Sequence, residues 1–239
     1  MSLVGALLAA LAPAAARAYT DQPDSKMTIP ADQFEWGFAP QKSSLTRTFW
    51  LKPAGDDTVF VFKVIPGCSC TQSPLEKDTI PPGDSARLEI IFDSGRYLGR
   101  VHKRPQIQIN DELFPHVLMV WANILPDSVQ QPPLDVRPRS LELPADAKSG
   151  AVTLTNIGDD PISLQFIEID RRYVNGTLPA RLDPGAAVEL NLQVSVAPEG
   201  WLVKSVTLEA RPVDGGEAVR YTIPVRLGEA PATDSAGNH

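Results

Sequence analysis

Prolines are spread along the whole chain, 23 of them in 239 residues, rather than gathered in one tract. A proline inside a helix removes a backbone hydrogen bond and clashes with the preceding turn, whereas turns and strand edges accept it. Helices of ordinary length therefore have little room between these residues. The distribution favours short strands joined by turns.

Several short apolar runs alternate with polar residues at a period of two. The clearest are residues 86–92, 162–169, 188–194 and 204–210. This period places successive side chains on opposite faces of a strand, and no window of the chain has a helical period instead. The runs predict an all-β chain built as β-sandwiches.

The chain repeats one pattern in two blocks. Pro82-Gly83 precedes an alternating strand in the first block, and Pro184-Gly185 precedes one in the second. Proline followed by glycine suits the central positions of a tight turn. We therefore predict two tandem immunoglobulin-like β-sandwiches.

The first eighteen residues predict a cleavable signal peptide. Residues 3–16 are apolar but too short to span a bilayer, and a small-x-small cleavage pattern follows at Ala16-Arg17-Ala18. A buried helix of the fold is disfavoured, because nothing amphipathic follows. We expect export to the periplasm or the extracellular space, with no membrane span in the mature chain.

Together these observations predict five parts. They are a signal peptide (1–18), an immunoglobulin-like domain with a Cys-x-Cys turn (19–125), a Pro-rich linker (126–133), a second immunoglobulin-like domain (134–228) and a disordered tail (229–239).

The chain is acidic, with 29 Asp and Glu against 22 Lys and Arg. This balance argues against nucleic-acid binding, which needs a concentrated basic face. One local basic group exists, and we expect it to lie along a strand edge, where charge discourages edge pairing. Its members are Arg96, Arg100, His102, Lys103 and Arg104.

Several segments carry a resemblance to a known family. They are residues 34–37 (Phe-Glu-Trp-Gly), 66–71 (Pro-Gly-Cys-Ser-Cys-Thr), 80–83 (Ile-Pro-Pro-Gly), 88–93 (Leu-Glu-Ile-Ile-Phe-Asp), Gly99 and 107–111 (Ile-Gln-Ile-Asn-Asp).

Over about residues 32–124 the chain resembles the bacterial family named domain of unknown function 1573. The resemblance implies an immunoglobulin-like sandwich related to Hydin-type and pilus-chaperone-like domains, and it implies no established activity. The second block resembles the same superfamily in outline but has no cysteine pair. Ser69 stands between the two cysteines, where relatives usually have glycine.

Cys68 and Cys70 are the only cysteines, and three interpretations of them stay open. An exported protein can hold a disulfide between them, although one intervening residue demands a bent backbone. Paired thiolates also suit copper(I) or zinc, with His102 as a candidate further ligand. The third interpretation is structural, with the sulfurs filling the end of the sandwich or pairing with another chain.

No catalytic pattern is evident in the sequence. It contains no Gly-x-Ser-x-Gly elbow and no His-Glu-x-x-His motif, and few histidines are available for acid–base chemistry. We therefore expect no enzymatic activity and no cofactor, unless copper or zinc binds Cys68 and Cys70.

The aromatic residues of the first block should mostly be core residues, since alternate positions of sandwich strands face inward. They are Trp36, Phe38, Phe49, Trp50, Phe60, Phe62 and Phe92. Trp201, in an expected loop, is a candidate contact residue, because aromatics are enriched in interface hot spots. Packing within its loop is the alternative role.

The leading hypothesis is a non-catalytic exported binding or scaffolding protein, an accessory subunit of a cell-envelope or extracellular assembly. Sandwiches of this kind bind protein partners through loops and exposed strand edges. The alternative is a periplasmic thiol-redox or copper-handling protein that uses Cys68 and Cys70.

Overall fold

The computed structural model describes residues 25–195 and 200–228, and within these ranges it contains twenty β-strands and no helix. The all-β prediction is confirmed. The predicted signal peptide (1–18) and tail (229–239) lie outside the described residues. In the described part of the chain, no helical segment could serve as a membrane span.

Eleven strands form the first copy of the sandwich. They are β1 (Met27–Thr28), β2 (Gln33–Pro40), β3 (Ser44–Pro53), β4 (Val59–Ile65), β5 (Thr71–Gln72), β6 (Thr79–Ile80), β7 (Ala86–Asp93), β8 (Gly99–Lys103), β9 (Gln106–Ile109), β10 (His116–Val117) and β11 (Met119–Leu125).

Nine strands form the second copy. They are β12 (Leu134–Arg137), β13 (Leu141–Leu143), β14 (Ser149–Asn156), β15 (Ile162–Glu168), β16 (Val174–Asn175), β17 (Arg181–Leu182), β18 (Ala187–Val194), β19 (Leu202–Pro212) and β20 (Val219–Leu227).

The two copies have the same topology. One sheet runs in the order β1-β3-β7-β5 in the first copy and β12-β14-β18-β16 in the second. Facing it, β11 lies between parallel β2 and antiparallel β8, and β20 lies between parallel β13 and antiparallel β19. This arrangement is that of an immunoglobulin-like sandwich, so the predicted tandem pair is confirmed.

The repeated Pro-Gly turn is present in both copies. Gly83 and Gly185 have positive φ angles of 79° and 72°. In each turn the residue after the glycine donates its backbone N–H to the carbonyl three positions earlier. The bonds run from Asp84 to Pro81 at 3.1 Å and from Ala186 to Asp183 at 3.0 Å. Both turns lead directly into the strand that the alternation predicted, β7 or β18.

One strand differs between the copies. In the second copy β19 is continuous and pairs with both β15 and β20. The equivalent stretch of the first copy is divided into β8, which pairs with β11, and β9, which pairs with β4. Pro105 lies in the break, where its missing N–H cannot join a strand ladder.

The break leaves β8 at the end of its sheet. Arg100, His102 and Lys103 belong to this short strand. Three members of the predicted basic group therefore lie on a strand edge.

Each copy has its own hydrophobic core. Trp36, Phe49 and Phe92 are buried in the first, where the indole Nε1–H of Trp36 donates to the carbonyl of Thr46 at 3.0 Å. Phe38 packs against the core of the second copy.

The prediction that most of these aromatic residues are core residues holds for these four, and the remaining three are not in the core. Trp50, Phe60 and Phe62 are 46%, 48% and 78% exposed. Each lies on the solvent side of a strand whose alternate residues are buried.

An eight-stranded sheet runs through both copies, because β2 pairs with β20 as well as with β11. Beside it, the backbone N–H of Thr46 donates to Ser205 Oγ at 2.8 Å, and the backbone N–H of Ser205 donates to Thr46 Oγ1 at 2.9 Å.

The burial of residues 204–210 differs from what their sequence indicates, because alternation of this kind is typical of a half-exposed strand. Here β3 packs against β19, and the whole segment is buried.

The segment predicted as a linker is held against the second copy. The hydroxyl of Tyr221 donates to the carbonyl of Gln131 at 2.6 Å and accepts the backbone N–H of Leu134 at 3.1 Å. The backbone N–H of Ile157 donates to the carbonyl of Pro133 at 2.8 Å. These bonds and the shared sheet fix how the copies are joined.

Candidate functional site

The cysteine pair lies in the turn that follows β4. The sulfurs of Cys68 and Cys70 are joined in a disulfide across Ser69. The carbonyl of Cys68 accepts the backbone N–H of Thr71 at 3.2 Å, and the carbonyl of Cys70 accepts that of Asp93 at 2.9 Å. The turn is therefore anchored both within itself and to β7.

Two polar side chains approach the sulfurs of this disulfide turn. Thr71 Oγ1 lies 3.3 Å from Cys68 Sγ, and the Tyr97 hydroxyl lies 3.6 Å from Cys70 Sγ. Lys103 Nζ donates to that hydroxyl at 3.0 Å. A nearby cation favours a thiolate over a thiol, so this cluster can stabilise Cys70 when the pair is reduced.

The equivalent turn of the second copy, after β15, is closed by a salt bridge instead. Arg172 Nε donates to Asp170 Oδ1 at 2.8 Å, and these residues are two apart, as the cysteines are. The backbone carbonyl of Asp170 also accepts the backbone N–H groups of Tyr173 and Val174. The two copies thus close the same turn by different chemistry.

The described part of the fold adds no group of metal-ligating side chains to the metal interpretation of the cysteines. His102 is exposed on β8, and across residues 25–195 and 200–228 no three His, Cys, Asp or Glu side chains are placed to hold a metal ion. His116 is buried, and its Nε2 lies 2.9 Å from Glu112 Oε2 and 3.2 Å from Ser25 Oγ. Copper or zinc at Cys68, Cys70 and His102 stays a prediction.

Trp201 directly precedes β19 and is partly buried. Its suggested role in partner contact also stays a prediction.

The most exposed aromatic residues form a site that the sequence reasoning missed. Phe60 and Phe62 alternate along β4 with the buried Val59 and Val61. The run Val-Phe-Val-Phe is apolar on both faces and indicates a strand buried on both sides. The sequence did contain one signal for this site. A strand that is apolar on both faces exposes one of them unless another part of the protein packs against each face.

A loop that begins beside β4 also exposes apolar side chains. Asn110, at its start, accepts the backbone N–H of Phe60 on Oδ1 at 2.8 Å and donates its own backbone N–H to the Phe60 carbonyl at 2.9 Å. Leu113 and Phe114 follow in this loop and are 84% and 65% exposed. We refer to Phe60, Phe62, Leu113 and Phe114 as the β4 apolar surface.

One side of β4 is also open. β6 pairs only with Val59 and Phe60, and the backbone N–H of Val61 donates to the carbonyl of Asp78 at 2.7 Å. On that side no described strand pairs with residues 62–65, whereas β9 pairs along the other side. The backbone groups along this open side and the exposed rings of Phe60 and Phe62 therefore belong to the same strand.

A family model matches the first copy. Residues 27–124 match the family described as protein of unknown function (DUF1573). The predicted resemblance over residues 32–124 is confirmed. A search of curated protein sequences found no match.

Several solved structures are distantly similar to this chain. A protein of unknown function from Porphyromonas gingivalis W83 is 11% identical with a TM-score of 0.33, over 86% of this chain and 100% of that one. The periplasmic chaperone SfaE is 12% identical with a TM-score of 0.30, over 85% and 100%.

The Vibrio cholerae VesB protease is 8% identical with a TM-score of 0.36, over 41% of this chain and 32% of its own. The present chain therefore spans about a third of VesB. At these scores none of the likenesses informs the function.

Proposed function

We propose that the protein is a non-catalytic, exported binding subunit of a cell-envelope or extracellular assembly, and that it captures a strand of a partner protein on β4. The observation that carries the proposal is the open side of β4 beside the exposed rings of Phe60 and Phe62.

The open strand edge determines the shape of the partner. Unpaired main-chain groups along an edge are satisfied by an added strand, with specificity from alternate side chains. Phe62, 78% exposed, favours apolar side chains on that strand. Lys63 is the only charged residue of β4 and is exposed, so an acidic residue opposite it is also favoured. The occupant is an extended, apolar segment with a carboxylate.

Export is supported by the signal-peptide pattern at residues 1–18 and by the disulfide between Cys68 and Cys70. Disulfides persist in oxidising compartments such as the periplasm. An exported partner that offers an extended segment would share that compartment.

Site-specific photo-crosslinking in the cells that make the protein tests this proposal. A crosslinking amino acid at position 62 should give one discrete adduct, and a Phe60→Ser change should abolish it. The matched control position is Asn191, which is exposed on β18 of the second copy. Equal adducts at both positions, or an adduct insensitive to Phe60→Ser, would exclude β4 as the binding strand.

A second function is favoured by the surroundings of Cys70, namely thiol–disulfide exchange. A partner thiolate attacks Cys68 Sγ and Cys70 leaves as a thiolate beside Tyr97 and Lys103. A second partner thiol then releases Cys68. Two electrons pass to this pair, and the partner acquires a disulfide. The resulting dithiol is also the form that would bind copper(I).

Mass measurement distinguishes the two functions. Intact mass of the protein isolated without reductant, with and without a thiol-alkylating reagent, reports the state of Cys68 and Cys70, and elemental analysis reports copper and zinc. Exchange with a dithiol should slow in Lys103→Ala, whereas Lys42→Ala, in the turn between β2 and β3, should leave the rate unchanged. Equal rates would rule out a role for Lys103, and a pair that never reduces would remove the exchange function.

A further inference from the structure

A cleft of about 220 Å³ opens where the two copies meet. It is walled by Arg47, Thr48, Trp50 and Arg87 from the first copy and by residues 168–172 from the second. The shared sheet and the Thr46–Ser205 bonds hold its two walls in place. A cleft between fixed walls can recognise a ligand of defined size.

Positive charge exceeds negative charge in this cleft. Its lining contains four arginines, Arg47, Arg87, Arg171 and Arg172, against the two carboxylates of Glu168 and Asp170. This excess is local, since the whole chain has a formal net charge of −7. The cleft therefore attracts an anion that the rest of the surface repels.

Two of the four guanidinium groups pair with the carboxylates that line the cleft itself. Arg47 pairs with Glu168 across the boundary between the copies. Arg172 pairs with Asp170, which also lies 3.5 Å from Lys204 Nζ. Arg87 and Arg171 do not pair with these two carboxylates, so their guanidinium groups are the ones that can bind a ligand in the cleft.

Arg87 forms an ion pair outside the cleft through its Nε, 3.4 Å from Glu76 Oε2, whereas Arg171 forms no ion pair among the described residues. Arg171 is exposed on the turn after β15, with its guanidinium 5.8 Å from the ring of Phe166. The planar fork of a guanidinium matches an oxyanion such as a carboxylate.

Trp50 supplies an apolar wall beside these charges. Its ring is half exposed and lies 6.0 Å from the guanidinium carbon of Arg87. A ligand with an apolar body can lie on the indole while its anionic group reaches the arginines. Glu168 and Asp170 would repel a dianion such as a phosphate monoester, so a carboxylate is the better fit.

We infer that this cleft between the two copies binds a carboxylate-bearing organic anion, held by Arg87 and Arg171 with its apolar part against Trp50. Either a free organic acid or a glutamate side chain of a peptide supplies that chemistry. The cleft is separate from the β4 apolar surface, so it adds a second binding site to the protein.

Calorimetric titration of the full chain tests the inference with three probes. They are hexanoate, the acetylated and amidated peptide Gly-Phe-Glu-Gly, and inorganic phosphate, so that each organic probe carries one carboxylate and an apolar group. We expect one site for hexanoate or for the peptide, weakened by salt, and the stronger of the two identifies the source of the carboxylate. Failure of both to bind, or phosphate binding as tightly, would overturn the proposal.

Variants assign the binding to the cleft. Arg171→Ala should weaken binding about tenfold or more, as expected for loss of a charge-assisted hydrogen bond, and Arg171→Lys should restore part of it. Trp50→Ala should weaken it as well. Arg96, exposed outside the cleft, is the matched control, and Arg96→Ala should bind as the unmodified protein does. Equal losses in Arg96→Ala and Arg171→Ala would mean that only net charge matters.

Discussion

Gly37 lies directly against the backbone of Arg220: a Cβ built on Gly37 would be 2.1 Å from the Arg220 carbonyl oxygen. Gly37 also has a positive φ of 68°, which residues with a Cβ rarely adopt. This contact is where β2 of the first copy meets β20 of the second, with Phe38 opposite Tyr221. A glycine at position 37 is thus a requirement for the shared sheet.

Gly37→Ala should destabilise the protein and separate β2 from β20. The positive φ alone costs about 1–3 kcal/mol, and the clash with Arg220 backbone adds to that cost. Urea unfolding measures the loss, and small-angle scattering measures the separation of the copies. Gly83→Ala is the matched control, because Gly83 has a φ of 79° but nothing within 4 Å of its added Cβ. Equal losses in the two variants would contradict the steric role of Arg220.

Ser205→Ala should weaken the junction between the copies. The buried N–H of Thr46 loses its acceptor, and an unsatisfied buried donor costs about 1–3 kcal/mol. The change in the free energy of unfolding measures this. Ser163→Ala removes an exposed hydroxyl that donates to Arg211 within the second copy, and it should change stability by no more than about 0.5 kcal/mol. A loss in Ser205→Ala as small as that of this control would show that the junction does not depend on the bond.

Tyr221→Phe should release the segment between the copies. It removes the bond to Gln131 and leaves the N–H of Leu134 without its acceptor, at a cost of about 1–3 kcal/mol. Hydrogen exchange at the Leu134 amide should accelerate. Tyr97→Phe, at an exposed position, should leave that rate unchanged, and unaltered exchange in Tyr221→Phe would disprove the clamp.

Glu168 should make stability fall as pH rises above its ordinary titration range. Burial raises the pKa of Glu168 in the folded protein, and the opposing effect of Arg47 does not cancel this. Between the unfolded pKa of 4.5 and the higher folded value, the folded state binds more protons. Stability from this group is therefore fully present below that window and declines as pH rises through it.

Urea midpoints measured across that pH range test this expectation. The difference between the unmodified protein and Glu168→Gln isolates the group, because Gln does not titrate. The variant should lose this component of the pH dependence. Parallel pH profiles would show that Glu168 titrates alike in the folded and unfolded states.

The strands and their repetition were predictable because their causes are local. Alternation determined β7, β15 and β18, and the Pro-Gly steps determined the turns at Gly83 and Gly185. The junction was not predictable, since the need for glycine at position 37 depends on Arg220, which lies far away in sequence. The same holds for Arg47 and Glu168.

The same distinction between local and distant causes applies to the candidate sites. Cys68 and Cys70 were evident from their rarity, but their spacing left three chemistries open, because the bend of the turn depends on anchoring to Asp93. Phe60 and Phe62 were predicted in the core with the other aromatic residues of the first block, because alternate positions of sandwich strands face inward. Both residues lie on the solvent side of β4, on the face opposite the buried Val59 and Val61.

Pro105 marks a structural difference between the two copies. The second copy retains an unbroken β19, long enough to brace both its own sheet and the neighbouring sandwich. In the first copy this strand is interrupted. One part, β8, places its charged residues at the end of a sheet, and the other part, β9, pairs with β4. One residue that cannot donate a backbone hydrogen bond thus distinguishes a continuous strand at the junction of the copies from two shorter strands, each in a different sheet.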